Sequence, residues 1–246
     1  MGLRGPKPEI INEQALLSCS PESDYWCGIL ATDGCIGFAK RVSVPLIRYG
    51  GIDIEHVYKF RDFLGSKRSV QFVDRVTGIG PVKYGVFALT SSAIGDFLIC
   101  NGITPKKSLT LKVSERLARS PHFWRGVIDG DGTVYIALHG LKPVVRLTSG
   151  SFQFIHQFAD FCRSVDLRSN VKDAGLSNLG HAPRYIVNFT GKQALDLLGV
   201  LYAGATVWLD RKKVKVDEIF AQPVRHKYVR RGVNGAAVAV SAEVVQ

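Results

Sequence analysis

The segment YWCGILATDG, residues 25–34, recurs as FWRGVIDGDG at residues 123–132. The spacing is constant, because Gly126 follows Gly28 by 98 positions (126 − 28 = 98) and Asp131 follows Asp33 by the same number (131 − 33 = 98). Each copy follows a Ser-Pro pair, which is typical of a helix start, and ends in Asp-Gly, which is typical of a helix end. The chain is therefore predicted to contain two copies of one module, each opening with a helix.

The sequence after each motif also repeats, as strand, strand, helix, strand, strand, helix. In the first copy the strands are predicted at 35–40, 43–48, 69–76 and 84–90, and the helices at 53–64 and 92–100. In the second copy the strands are predicted at 133–138, 143–149, 170–174 and 184–189, and the helices at 152–165 and 191–201. Short links between neighbouring strands favour antiparallel pairing and an α+β fold. The predicted organisation is an N-terminal arm (1–19), a first repeat (20–102), a linker (103–119), a second repeat (120–221) and a basic C-terminal tail (222–246).

Composition narrows the classes of function. The formal net charge is +11, which predicts attraction to a polyanion such as nucleic acid. No apolar run approaches the roughly 18–20 residues of a membrane span, and no secretory signal is visible, so neither a membrane partner nor secretion is expected. The 5 cysteines contain no Cys-x-x-Cys pair, which argues against a disulfide framework and a structural zinc site. We expect an intracellular protein of the cytoplasm, the nucleoid or an organelle matrix.

Small residues recur on one face of each motif helix. Gly28 and Thr32 are four residues apart, as are Gly126 and Gly130, so each pair lies on one helical face. Small side chains let two backbones approach closely, as in membrane helix pairs. The two motif helices are therefore predicted to pack against each other through Gly28 and Gly126.

Parallel packing of these helices would bring Asp33 and Asp131 together. Two carboxylates at helix C-termini face the negative end of each helix dipole and repel each other. A divalent cation relieves both effects, and carboxylates, backbone carbonyls and water are the ligands that Mg²⁺ accepts. The candidate metal ligands are Asp33 and Asp131, with the neighbouring residues Thr32 and Gly130.

The two segments resemble the LAGLIDADG motif of homing endonucleases, which aligns with residues 26–34 and 124–132. Two further segments resemble parts of two-repeat members of this family: GITPKKS (102–108), found before the second motif, and LYAGATVWLDRKK (201–213), found at the end of the second repeat. Together these similarities cover about residues 20–220.

The resemblance implies a pseudo-twofold pair of αββαββα repeats, with the motif helices at the interface and two antiparallel saddle-shaped sheets over a long DNA site. It implies a free-standing monomer that cuts both strands of double-stranded DNA with Mg²⁺, and Mn²⁺ or Ca²⁺ are possible bound cations in vitro. The eighth motif residue of the family binds the catalytic metals, and it corresponds to Asp33 and Asp131. A basic residue lies near each active site, and the candidates are Lys107 and Lys212, with Lys213 as the alternative to Lys212. A phosphate contact or a solvated charge explains these lysines equally well.

Sheet residues with alternating polarity are candidates for DNA contact, because arginine, lysine and glutamine can pair with base edges in the major groove. Any of them could instead contact only phosphate or be an ordinary exposed side chain. The candidates are Lys40, Arg48, Arg68, Gln71, Arg75 and Lys83 in the first repeat, and Tyr135, Arg146, Arg168, Lys172, Arg184 and Asn188 in the second.

Other functions remain compatible with the same scaffold. An RNA-splicing maturase would have RNA as its partner, and a DNA-binding regulator would not need the two motif aspartates. Retention of both Asp33 and Asp131 favours the nuclease. An intein is less favoured, because position 1 lacks a nucleophile and the chain ends without a His-Asn pair.

Overall fold

The computed structural model describes residues 10–39, 42–77, 80–137, 142–176 and 182–222. The candidate Lys40 and the basic residues of the predicted tail lie outside these ranges. The first half contains α1 (Glu13–Leu17), α2 (Pro21–Thr32), β1 (Gly34–Ala39), β2 (Val42–Gly51), α3 (Ile54–Phe63), β3 (Gln71–Thr77), β4 (Gly80–Thr90) and α4 (Ser92–Cys100). After a 3₁₀ turn (Lys107–Leu109) come α5 (Glu115–Ala118), α6 (Pro121–Gly130), β5 (Thr133–Ala137), β6 (Lys142–Ser149), α7 (Phe152–Ser164), β7 (Lys172–Leu176), β8 (Pro183–Thr190), α8 (Lys192–Tyr202) and α9 (Asp210–Phe220).

The strands form two four-stranded antiparallel sheets with the same topology. Their orders are β1-β2-β4-β3 and β5-β6-β8-β7. Helix α3 packs on β2 and β4 and helix α4 packs on β2, while helices α7 and α8 both pack on β6 and β8. The predicted α+β fold, the repeated element order and the antiparallel pairing are confirmed.

The motif helices α2 and α6 begin as their sequences predict. Pro21 and Pro121 occupy the first helical position, and Ser20 and Ser120 are the N-caps. The Ser20 hydroxyl accepts a hydrogen bond from the backbone N–H of Ser23 at 3.1 Å, and the Ser120 hydroxyl accepts one from Phe123 at 3.3 Å. These bonds satisfy backbone donors that a helix start would otherwise leave unpaired.

The tryptophan of each motif is the centre of an aromatic cluster between helix and sheet. Trp26 packs 5.0 Å from the Phe60 ring, and Trp124 packs 5.0 Å from the Phe158 ring. Both tryptophans are fully buried. Equivalent ring contacts anchor α2 and α6 to their own halves, so that their remaining faces can meet each other.

Three helices lie where no helix was predicted. Helix α1 lies in the predicted arm, where Leu16 is fully buried, and α5 lies in the predicted linker. Helix α9 follows the last predicted helix and carries the basic segment 211–213. Its polar sequence has only a short apolar stripe, so helical periodicity is weak there. Within the ranges given above, no helix is long and apolar enough to cross a membrane.

Candidate active site between the motif helices

Helices α2 and α6 run side by side in the same direction and make the most extensive contact between any two helices described. Their closest approach is at Gly28 and Gly126. A Cβ added to Gly28 would lie 2.2 Å from the carbonyl oxygen of Phe123, and a Cβ added to Gly126 would lie 2.1 Å from that of Tyr25. Tyr25 and Phe123 are themselves equivalent positions (123 − 25 = 98), so the contact has pseudo-twofold symmetry.

Parallel packing places the C-terminal ends of both motif helices together. Asp33 is the C-cap of α2 and Asp131 is the C-cap of α6. Between them, Gly130 meets Thr32 so closely that a Cβ on Gly130 would lie 2.0 Å from the Thr32 hydroxyl and 3.1 Å from a carboxylate oxygen of Asp33. The four residues predicted as metal ligands therefore lie in one small region of the interface.

The surroundings disfavour negative charge on both carboxylates. Both aspartates are partly exposed to solvent, but the surrounding protein still desolvates their carboxyl groups enough to shift their pKa values. Desolvation, followed by the charge of Asp131, raises the pKa of Asp33 to about 6. Desolvation also raises the pKa of Asp131, and the nearby Lys212 and Lys107 oppose the increase. The excess negative charge is thus only partly balanced by the protein itself.

A buried lysine binds the end of each motif helix. The Lys107 ammonium donates a short hydrogen bond to the carbonyl of Gly34, directly after Asp33. The Lys212 ammonium donates to the carbonyls of Ile128 (2.6 Å), Gly130 (3.2 Å) and Gly132 (2.6 Å), on either side of Asp131. Gly34 and Gly132 are equivalent positions (132 − 34 = 98), so the two lysines perform related roles from unrelated local structures.

The microenvironments of the three candidate lysines differ. Lys107 and Lys212 are 8% and 6% exposed. Burial lowers the pKa of Lys107, and it lowers the pKa of Lys212 to about 8, although Asp129, Asp33 and Asp131 favour the charged form of Lys212. Lys213 instead forms an ion pair with Asp217 on the surface of α9. The structure therefore places Lys212 at the helix end and Lys213 away from it.

The donor set at the helix ends fits a hard divalent cation that keeps part of its water shell. Within the described residues, no group of three or more His, Cys, Asp and Glu side chains could hold a metal. Asp33 and Asp131 supply two carboxylates, and carbonyl oxygens of the same turns are close by. The remaining ligands would have to be water or substrate oxygen, which is typical of Mg²⁺ sites and not of structural zinc.

In each of the two sheets, several candidate residues lie on the face that the helices leave uncovered. In the first sheet, Arg48 lies opposite Ala88, and Gln71 lies opposite Val86 on the same face. Arg75 is also on this face, with its guanidinium 3.9 Å from the centre of the Tyr84 ring. Lys83 lies on the other face, because it is two and four residues from Gly85 and the buried Phe87 and so shares their face of β4. Arg68 precedes β3 and donates to the carbonyl of Ala88 at 3.0 Å.

The second sheet presents an equivalent face. Arg146 corresponds to Arg48 (146 − 48 = 98) and donates to the Asn188 side chain at 3.1 Å. Lys172 occupies the position of Gln71, because these residues pair with Ile186 and Val86 respectively. The strand register also places Tyr135 on this face, and Arg184 shares the face because it lies two residues before Ile186 in β8. Arg168 is exposed in the loop between α7 and β7.

One buried polar system is not among the site residues predicted from the sequence. Asp129 is fully buried and accepts hydrogen bonds from the hydroxyls of Tyr25 (2.9 Å) and Tyr202 (2.8 Å) and from the backbone N–H of Leu209 (2.9 Å). Arg125, one turn earlier on α6, is also fully buried. Two charged residues inside an otherwise apolar motif helix were the available signal.

Solved structures of homing endonucleases share this fold. The homing endonuclease I-WcaI bound to its DNA recognition sequence aligns over 84% of this chain and 88% of its own, with a TM-score of 0.61 and 10% sequence identity. I-DmoI in complex with DNA and Ca aligns over 81% of this chain and 98% of its own, with a TM-score of 0.53 and 12% identity. The chain has the LAGLIDADG homing endonuclease fold.

At this level of identity the similarity establishes the fold alone. No protein-family model matches the sequence, and no curated protein matches it. In the LAGLIDADG fold of this chain, the two motif helices are α2 and α6, and each is joined directly to the first strand of its sheet, β1 or β5.

Proposed function

We propose that this protein is a site-specific endonuclease that cuts both strands of double-stranded DNA in a reaction that depends on a divalent cation, with Mg²⁺ as the preferred ion. The observation that carries the proposal is the meeting of Asp33 and Asp131 at the adjacent C-termini of two parallel helices. An uncompensated pair of carboxylates there is unfavourable without a bound cation. Both structural neighbours described above are DNA complexes, and one of them contains Ca.

In this proposal Asp33 and Asp131 hold the cation, and carbonyl oxygens of Thr32 and Gly130 are further candidate ligands. A divalent cation held there would activate a water molecule and stabilise negative charge on a phosphodiester. Lys212 keeps the end of α6 in place. An ammonium has three N–H donors, and three carbonyls accept from Lys212, so no N–H remains for a phosphate in this arrangement.

Lys107 differs from Lys212 in its free donors. Its one described hydrogen bond goes to the carbonyl of Gly34. Two N–H groups are then available for water or for a phosphate oxygen in the first half-site. We therefore propose Lys107 as a direct contact to the reacting phosphate and Lys212 as a residue that acts through the backbone around Asp131.

The uncovered sheet faces are the proposed DNA-binding surface. Two-stranded β-ribbons fit the major groove, where arginine pairs with guanine. Arg48 and Arg146 occupy equivalent positions on the two faces, so they would meet the DNA at pseudo-symmetric places on either side of the scissile phosphates. The net charge of +11 provides the non-specific attraction that brings DNA to this surface.

The test is selection of cleaved molecules from a randomised double-stranded DNA library with Mg²⁺. Wild type is compared with Asp33→Asn and Asp131→Asn, which keep side-chain shape and remove the charge. Asp160→Asn, an exposed aspartate on α7, is the matched control. We expect discrete double-strand breaks with wild type and the control, and nicks or no cleavage with either motif variant.

Tight, salt-sensitive DNA binding without cleavage by wild type would refute the nuclease and leave a DNA-binding protein. Preference for structured RNA over DNA in the same binding assay would instead indicate a maturase. Cleavage that survives both Asp→Asn substitutions would move the active site away from the motif helices.

A further inference from the structure

The second half of the molecule contains a buried pair of charges that the first half lacks. Arg125 and Asp129 lie one turn apart on α6, and both are 0% exposed. The equivalent residues of α2 are Cys27 and Ala31 (125 − 27 = 98 and 129 − 31 = 98). The pair is therefore not required for the packing that both motif helices share.

Arg125 and Asp129 both bind the segment that connects α8 to α9. Arg125 donates to the carbonyl of Leu201 at 3.0 Å and to the carbonyl of Val207 at 3.2 Å. Asp129 accepts from the Tyr202 hydroxyl at 2.8 Å and from the backbone N–H of Leu209 at 2.9 Å. These four bonds hold both ends of the connection against α6, and we call this arrangement the α6 clamp.

The α6 clamp ends where the helix that carries Lys212 begins. Leu209 is the N-cap of α9, and leucine has no side-chain acceptor with which to cap a helix. Its own N–H is fixed by Asp129, so the start of α9 is tied to α6. Lys212 lies in the first turn of α9 and returns to α6 to bind the carbonyls of Ile128, Gly130 and Gly132.

The first half positions its lysine in another way. Lys107 lies in a 3₁₀ turn that follows a tight loop, in which Lys106 has a left-handed backbone (φ 55°). In this loop a Cβ on Gly102 would lie only 1.9 Å from the carbonyl oxygen of Lys112. Close backbone packing thus replaces the buried charges in the first half.

We propose that Arg125 and Asp129 are positioning residues. They fix the position of Lys212 and, through Lys212, the backbone around Asp131, and they therefore act on the half-site of Asp131 only. The inference deepens the proposed endonuclease function and rests on it for its consequence in cleavage. Loss of the clamp should slow cutting of one DNA strand and leave the other strand nearly unchanged.

The cleavage test uses a target from the library selection, with each strand labelled separately, under single-turnover conditions. Asp129→Ala gives position 129 the alanine found at the equivalent position 31. We expect Asp129→Ala and Arg125→Met to slow cleavage of one strand by about tenfold or more, because a misplacement of the active-site groups by about 1 Å can have such an effect. Lys212→Met should slow the same strand, and the Asp129→Ala/Lys212→Met double variant should be no slower than Lys212→Met alone. Asp129→Asn, which keeps one acceptor oxygen, should retain more activity than Asp129→Ala.

The matched control is His56→Phe, which gives the first half the phenylalanine found at the equivalent position 154 (154 − 56 = 98). His56 is hydrogen-bonded to the Tyr25 hydroxyl at 2.7 Å, and the same hydroxyl donates to Asp129. The change therefore removes a bond of the same buried network but leaves the four bonds of the α6 clamp in place. It should lower stability without strand bias. Equal slowing of both strands by Asp129→Ala, or additive effects with Lys212→Met, would overturn the proposal.

Hydrogen exchange of the metal-free protein separates failure of the clamp from failure of the proposed function. In Asp129→Ala and Arg125→Met, amides of segment 203–213 should lose protection while segment 102–112 keeps it. If wild type cuts no DNA, the proposed function fails, but the hydrogen-exchange measurement still tests the α6 clamp. Unchanged protection of segment 203–213 in both variants would refute it.

Discussion

Gly28 and Gly126 pack so closely that neither position has space for a methyl group. A Cβ on Gly28 would lie 2.9 Å from the Cα of Gly126, and a Cβ on Gly126 would lie 3.0 Å from the Cα of Gly28. The nearest atoms on both sides belong to the backbone, which cannot rotate away as a flexible side chain can. The separation of the two carboxylates therefore depends on these two glycines.

Gly28→Ala and Gly126→Ala should each lower the free energy of unfolding by about 2–4 kcal/mol, because the added methyl forces the two helices apart. Urea denaturation would measure this change. Gly199→Ala is the control, since no atom lies within 4 Å of its Cβ position on α8. It should raise stability by about 0.5–1 kcal/mol through helix propensity. Similar effects at Gly28 and Gly199 would contradict the close packing.

The pKa of Asp33 makes stability of the metal-free protein depend on pH. Because its pKa is raised to about 6 in the folded protein, ionisation destabilises the fold progressively as the pH rises from about 4 to 6, and the penalty is complete above pH 6. The penalty disappears below about pH 4, where the carboxyl is protonated in both states. Asp33→Asn should thus stabilise the metal-free protein at pH 7.5, by on the order of 1 kcal/mol after allowance for solvent screening, and should stabilise it much less at pH 4, close to the pKa of the unfolded carboxyl.

Thermal unfolding with and without Mg²⁺ provides the measurement for Asp33. The cation should stabilise wild type and stabilise Asp33→Asn much less. Asp160→Asn controls for the loss of a surface charge. A stabilising effect of Asp33→Asn that is as large at pH 4 as at pH 7.5 would show that repulsion at the helix ends is not its cause.

The three candidate lysines should differ in their contribution to stability. Lys212→Met leaves the carbonyls of Ile128, Gly130 and Gly132 without this donor, and we expect a loss of about 2–3 kcal/mol. Lys107→Met affects one carbonyl and should cost about 1 kcal/mol. Lys213→Met removes an ion pair with Asp217 and a cation–π contact with Trp208, and it should change stability by less than about 1 kcal/mol. Chemical denaturation ranks them, and a larger loss for Lys213 than for Lys212 would refute the assignment.

Arg48 and Arg146 should contribute to DNA affinity at equivalent places. With Ca²⁺ present and a selected target, Arg146→Ala should weaken binding by about tenfold or more if the guanidinium pairs with a base. A phosphate contact would instead reduce the salt slope by about one, regardless of sequence. Lys83→Ala should have a smaller effect because Lys83, although exposed, lies on the opposite face of the sheet from Arg48 and Arg75. Lys192→Ala, which removes a surface ion pair on α8, should have none.

The binding assay is a titration at several salt concentrations with the target and with scrambled DNA. Equal losses for Lys83→Ala and Arg146→Ala on the target would contradict the assignment of the uncovered faces as the DNA-binding surface. A loss for Lys192→Ala as large as for Arg146→Ala would show that net charge, and not the sheet face, determines affinity.

The sequence alone determined the repeat, its two motif helices and the order of strands and helices. These features are local: serine caps, prolines at the first helical position, Asp-Gly ends and periodic apolar residues act within about ten positions of the chain. The conformational preferences of a short segment depend on its own residues. Two segments with the same local signals can therefore be recognised as a repeat from the sequence, as the constant offset between positions 28 and 126 shows.

Which polar residues are buried, and what they contact, depends on the tertiary structure. Lys212 and Lys213 are adjacent in sequence, but successive side chains of a helix point in directions about 100° apart. Lys212 therefore contacts the end of α6, whereas Lys213 pairs with Asp217 on the outer side of α9. Likewise, strand register separates Lys83 from Arg75, and the α8–α9 connection converts Arg125 and Asp129 from two charges in an apolar helix into a clamp. Each outcome depends on contacts between residues far apart in the chain, which no local pattern encodes.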